Sequence, residues 1–101
     1  MTQEKIVIDA IAQIDSLDPT FSHDMRSDTW ETILYHCFGY CEKRGWIFEI
    51  SNNTIEHSSA ARIRIISTNT PWSSVMVSAS GERLEIALLK TILKALEQCH
   101  V

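Results

Sequence analysis

The sequence has few of the residues that build recognisable catalytic or metal-binding motifs. Its 101 residues include three glycines, two prolines and three cysteines. Such widely spaced glycines cannot form a glycine-rich phosphate-binding loop, and cysteines without a Cys-x-x-Cys pair do not form the usual zinc motif. Cys37, Cys41 and Cys99 lie among apolar neighbours in helical contexts, which predicts buried, reduced thiols. We therefore expect no metal and no cofactor.

Arrangements typical of enzymes are also missing. The four histidines are scattered, so the sequence ties none of them to a thiol and an orienting acid. Glu82 and Glu85 are explained as charges at the start of a helix, where we expect them to face water. We therefore expect a protein that is not an enzyme.

The chain lacks an excess of positive charge and long apolar runs. Its net charge is −4, and residues 1–28 carry all of this excess, while the remainder is neutral. Such a distribution lacks the basic field that supplies most non-specific affinity for nucleic acid. The N-terminal apolar residues are interrupted by Asp9, Gln13 and Asp15, which fits neither a signal peptide nor a membrane span. We expect a cytoplasmic protein without membrane partners.

What is present predicts one α+β domain over residues 1–101. Apolar residues at helical spacing predict a first helix over about residues 3–17 and a second from a capping box at Asp28 and Glu31 to Gly45. Alternating patterns from Trp46 to residue 79 predict three strands in an antiparallel meander, with helices on one face. Residues 1–27 form the N-terminal helix and connecting loop, and residues 28–101 form the core.

The last predicted helix, "SGERLEIALLKTILKAL", has more apolar surface than one contact can cover. It starts at Ser80 or Gly81 and carries two adjacent apolar stripes, whereas a surface helix needs only one. One stripe can cover the sheet. The other requires the N-terminal helix or a second subunit, which would form a homodimer. The N-terminal helix has a second option, because it could instead cover the open face of the sheet.

The candidate protein-binding residues lie on that open face and in one turn. Ile47, Ile66 and Met76 are apolar residues on the outward side of the predicted strands and would be neighbours in a meander, beside Arg62 and Arg64. Trp72 follows a proline in a predicted turn, and tryptophan is enriched among interface residues. The alternative is that Trp72 covers the core and that the outer residues are packed.

Residues 29–98, with "CEKRGWIFEI" and "ASGERLEIALLKTILKAL", resemble the double-stranded RNA-binding domain in the order of their elements. The resemblance implies a helix-strand-strand-strand-helix fold with an added N-terminal helix. That family also holds RNA with lysines at the start of its last helix, where this chain has Glu82 and Glu85. A nucleic-acid-binding module is therefore the alternative function, and its candidate residues are Lys43, Arg44, Arg62, Arg64 and Arg83.

The end of the chain is also similar to small phage-encoded α/β sandwich proteins, through the strand, Ala-x-Gly turn and leucine-rich helix of "ASGERLEIALLKTILKAL". This similarity implies an accessory protein of a phage or mobile element. The function expected from the sequence is thus a small non-catalytic protein-binding module that occludes a host factor.

Overall fold

The computed structural model describes residues 2–22, 29–53, 58–66 and 74–99. The elements in these ranges are α1 (Thr2–Leu17), α2 (Trp30–Arg44), β1 (Ile47–Asn53), β2 (Ser58–Ile66), β3 (Ser74–Gly81) and α3 (Leu84–Cys99). The strands form one antiparallel sheet in the order β1-β2-β3. The predicted α+β fold, with a meander sheet packed against helices, is confirmed.

The two ends of α2 are fixed by local sequence. The N-cap is Thr29, whose hydroxyl accepts a hydrogen bond from the Thr32 amide at 3.4 Å, in place of the predicted capping box. Asp28 lies outside the described residues. Gly45 ends the helix with a positive φ of 72°, as expected of a glycine at this position.

The last helix begins later than the sequence indicates. Ser80 and Gly81 continue β3, where they pair with residues of β2, and α3 begins at Leu84. The strand extends this far because antiparallel pairing satisfies its backbone groups. The predicted cap at Ser80 or Gly81 is therefore wrong, and Glu82 precedes the helix.

Helix α3 lies in the middle of the fold. It packs against β2 and β3 on one side and against α1 and α2 elsewhere, and α1 contacts no strand among the described residues. The side chains that have no exposed surface include Ala87, Leu88, Leu89, Thr91, Ile92 and Ala95. The apolar surface of α3 that does not face the sheet is thus covered within the chain by α1 and α2, and Ala10 and Ile14 of α1 belong to the same core. A homodimer through α3 stays a prediction.

The connection after α1 is held by an aromatic anchor. Phe21 is 1% exposed, and its ring meets the rings of His36 and Tyr40 of α2 edge-on. Phe21 thus anchors the segment after α1 to the core. No helix within the described ranges has the length and apolar content that crossing a bilayer requires.

Gly81 of β3 has no room for a side chain. A Cβ atom on this residue would lie 2.8 Å from Cγ2 of Ile86 and 3.2 Å from the backbone nitrogen of Ala87. Both neighbours are buried, so they have little room to move. We expect Gly81→Ala to lower the free energy of unfolding by about 1–3 kcal/mol, because overpacking forces shifts in the core. Urea denaturation measures this loss.

The matched control is Gly39→Ala in α2, where an added Cβ meets nothing within 4 Å. We expect this variant to be as stable as the wild type or more stable by up to about 1 kcal/mol, because alanine favours the helix. A Gly81→Ala variant with wild-type stability would contradict the close approach of β3 and α3.

Candidate functional site

The side of the sheet that faces away from α3 is called here the outer face. Alternation along β2 defines it, because Ala61 and Ile63 are buried while Arg62 and Arg64 are exposed. Two cross-strand rows lie on this face: Ile47, Arg64 and Met76, and next to them Glu49, Arg62 and Ser78.

The first row combines apolar and basic groups. Ile47 is 50% exposed and Met76 is 49% exposed, one on each side of Arg64. Because β2 is the central strand, Arg64 stands between these two apolar residues in the row. The outer face is therefore a mixed surface with an arginine at its centre.

The charge of the outer face is not neutralised within the described chain. No ion pair joins Arg62 or Arg64 to another described side chain, although Glu49 lies opposite Arg62 in the ladder. Two guanidinium groups and one carboxylate give the face a local positive excess on a chain whose net charge is −4. An arginine whose guanidinium group is exposed can bind a carboxylate of a partner through two parallel hydrogen bonds.

For two of the candidate residues, Ile66 and Trp72, the structure does not describe the side chain. Ile66 pairs with Ser74 through the backbone at the end of β2, and its side chain is outside the part that the structure describes. Trp72 also lies outside the described residues.

The five basic residues of the nucleic-acid alternative do not come together. Arg62 and Arg64 share the outer face, whereas Lys43 is exposed at the end of α2. Arg44 pairs with Asp18, and its guanidinium carbon lies over the ring of Tyr40 at 4.7 Å from the centroid. Arg44 is thus already engaged within the chain.

The remaining basic residue, Arg83, is held at the start of α3. Its Nε lies 2.8 Å from Oε1 of Glu85, and its guanidinium lies over the half-exposed ring of Trp30. The Glu85 side chain is only 4% exposed, so the expectation that it faces water is wrong. Because α3 begins at Leu84, Glu85 points into the protein, where Arg83 compensates its charge; Glu82 is exposed, as expected.

The thiols of α2 are free and buried, as the sequence predicts for Cys37 and Cys41. Burial raises the pKa of the Cys41 thiol to about 12. Burial also raises the pKa of Cys37, with smaller contributions from Cys41 and Glu85. Thiolate, the reactive form, is therefore scarce at neutral pH. Within the described ranges, no three His, Cys, Asp or Glu side chains cluster as metal ligands do.

The sequence analysis missed a second basic feature, an open cleft between β3 and α3. Its walls include Arg62, Lys90 and Lys94 together with Glu97, and small residues of β2 and β3 form its floor. The signal in the sequence is the spacing of Lys90 and Lys94, which places two cations on one side of the helix. Their convergence with Arg62 depends on the tertiary structure.

Comparisons with protein-family models, curated proteins and solved structures found no match to this chain.

Asp18 is bound by three side chains, which makes its contribution to stability depend on pH. The Asp18 carboxylate accepts hydrogen bonds from the hydroxyls of Thr20 and Tyr40, both at 2.6 Å, and pairs with Arg44. These contacts, the Thr20 bond first, hold the pKa of Asp18 well below its usual range. We expect Asp18→Asn to lower the free energy of unfolding at pH 7 by about 1.5–3 kcal/mol.

The difference in stability between wild type and Asp18→Asn should decrease as the pH falls. A carboxyl whose pKa is lowered by folding stabilises fully above its unfolded pKa, about 4, and less as pH falls toward the folded value. Urea midpoints should therefore converge between about pH 5 and pH 2. Asp9→Asn, on the exposed side of α1, is the charge-matched control and should change little. A gap that is constant with pH would contradict this assignment.

Proposed function

We propose that this protein is a non-catalytic module that binds a protein partner through the outer face of its sheet. The observation that carries the proposal is the row of Ile47, Arg64 and Met76, in which two half-exposed apolar side chains flank an arginine that forms no ion pair with the described residues. No described helix covers this row. Apolar contact area around an arginine is typical of protein interfaces, where arginine and methionine are enriched.

The chemistry of the face favours an acidic partner surface. Arg62 and Arg64 are two positions apart on one strand, which separates their Cα atoms by about 7 Å. Two carboxylates at a similar spacing could pair with both guanidinium groups, while apolar partner groups contact Ile47 and Met76. Since the whole chain is acidic, attraction of such a partner depends on this local surface and not on net charge.

The mode of action that we propose is occlusion in the cytoplasm. On this proposal the outer face acts by covering a site on its partner. The support for a host factor as that partner is the resemblance of "ASGERLEIALLKTILKAL" to phage-encoded sandwich proteins in its strand and leucine-rich helix, without the Ala-x-Gly turn, because these residues belong to β3.

A nucleic-acid-binding module is the second candidate function. Its support is the element order α2-β1-β2-β3-α3, the order of the double-stranded RNA-binding domain, together with the two arginines of the outer face, which pair with no described acidic side chain. Three observations make it the weaker candidate. Arg44 is engaged by Asp18, Arg83 is engaged by Glu85, and the first turn of α3 bears a glutamate where that family has lysines.

Capture of partners from a nuclease-treated host lysate can test the outer face when several variants are compared. We expect a protein partner to be retained by the wild type and to decrease at least tenfold with Arg62→Glu/Arg64→Glu, because reversed charges repel an acidic surface. Lys5→Glu/Lys43→Glu makes the same change in net charge at exposed positions elsewhere and should retain the partner. Mass spectrometry quantifies the captured protein.

A second pair of variants tests the apolar contribution. Ile47→Ser/Met76→Ser should weaken capture, whereas Ile8→Ser on α1, where the side chain is 65% exposed, should not. Equal capture by all variants, or capture of no protein at all, would contradict the proposal. Affinity for duplex RNA that falls steeply with salt and disappears in Arg62→Glu/Arg64→Glu would favour the second candidate instead.

A further inference from the structure

We propose that the open edge of β3 binds an extended acidic segment of a partner protein, which adds as a fourth strand beside α3. This site is separate from the apolar row of the outer face, so either site can exist without the other. Three features support the site: the strand edge, the cleft next to it and the charges that line the cleft.

The edge of β3 is accessible in the described part of the fold. β1 and β3 are the two edge strands, and β1 is contacted by α2 as well as by α3, whereas α3 is the only described helix that contacts β3. The residues at this end of β3 are small: Ser78, Ala79, Ser80 and Gly81. Large side chains, proline or a bulge would prevent strand addition, and none occurs in this stretch.

One backbone group on β3 already has a substitute partner. The Nζ atom of Lys94 donates a hydrogen bond to the carbonyl oxygen of Ser78 at 2.8 Å. In an antiparallel ladder, alternate residues of an edge strand direct their backbone groups away from the sheet. We infer that the Ser78 carbonyl is one of these outward groups and that Lys94 occupies the place of an added strand's amide.

The cleft beside this edge has a volume of about 730 Å³ and a basic lining. Lys90 and Lys94 of α3 contribute two cations, against the single carboxylate of Glu97, while Arg62, whose side chain lies on the outer face, lines the cleft from β2. All four side chains are exposed, so they can reorient toward a ligand at small cost. An extended chain with carboxylates on one side would match this lining, and its other side chains would project outward as in any strand.

Binding would exchange the partners of two groups. The ammonium group of Lys94 would leave the Ser78 carbonyl and pair with a carboxylate of the incoming segment. That carbonyl would then accept a hydrogen bond from a backbone N–H of the same segment. Main-chain bonds supply affinity in strand addition, while side chains supply selectivity. The site therefore selects for both an extended backbone and negative charge.

The test uses the full-length ¹⁵N-labelled protein and a synthetic octapeptide of alternating valine and glutamate. We expect titration to shift the amide resonances of Ser78, Ala79, Ser80 and Lys94. Lys90→Gln/Lys94→Gln should raise the Kd at least tenfold, while Lys5→Gln/Lys43→Gln, which loses the same charge elsewhere, should leave it unchanged. Two N-methylated octapeptides, one for each set of alternate residues, test the backbone pairing. The peptide that lacks the N–H groups that pair with β3 should bind with at least tenfold lower affinity.

A single substitution separates the exchange from simple charge attraction. Lys94→Met keeps the aliphatic stem but leaves the Ser78 carbonyl open, so it should weaken the valine-glutamate peptide and strengthen a valine-threonine peptide. The proposal is overturned if N-methylation has no effect in either register, if no shifts occur at millimolar peptide, or if a thymidine oligonucleotide binds the same residues more tightly. Arg64→Glu should leave peptide binding intact, so failure of the outer face and failure of this edge are distinguishable.

Discussion

The burial of α3 from several directions is the constraint on which the rest of the structure depends. A helix with two apolar stripes cannot be covered by a three-stranded sheet alone, so α1 and α2 pack against its remaining surface. Its central position explains why Thr91 is satisfied internally, with its hydroxyl 2.7 Å from the carbonyl oxygen of Ala87 and 3.2 Å from that of Ala61 in β2. It also explains why Gly81 must lack a side chain.

The same constraint leaves the outer face without a covering helix. Both available helices are used on α3, and α1 does not reach the sheet among the described residues. An antiparallel sheet tolerates this arrangement when its exposed side is polar. Here the exposed side is only partly polar, because Ile47 and Met76 accompany the two arginines. That composition is unnecessary for solvation alone, which is why the face carries the proposed function.

Local patterns were sufficient for much of the fold. Helical spacing predicts α1 and α2 within a few residues, Gly45 marks the end of α2, and the alternation of Arg62, Ile63 and Arg64 assigns the two faces of β2. These predictions succeed because each depends on neighbours in sequence and on one repeating geometry. The meander followed because consecutive strands joined by short loops pair in sequence order.

Predictions that depend on distant residues were less successful. A glutamate in a first turn indicates a helix start, but it does not indicate which side of the helix is buried, so the inward position of Glu85 beside Arg83 was missed. The engagement of Arg44 by Asp18, 26 residues away, leaves no local pattern. The cleft was missed for the same reason, because Arg62 reaches Lys90 and Lys94 only through the packing of α3 on the sheet.

The layered arrangement also separates charge across the molecule. The described α1 has more acidic than basic residues and lies on the side of α3 away from the sheet, whereas Arg62 and Arg64 lie on the opposite side of the sheet. An acidic partner would therefore be repelled by one side of the protein and attracted by the other, which orients the encounter before contact. At physiological salt this orientation acts over about 8 Å, so the final selectivity must come from direct contacts. Arg62, on the outer face, also lines the cleft beside β3, so the two surfaces adjoin at this residue.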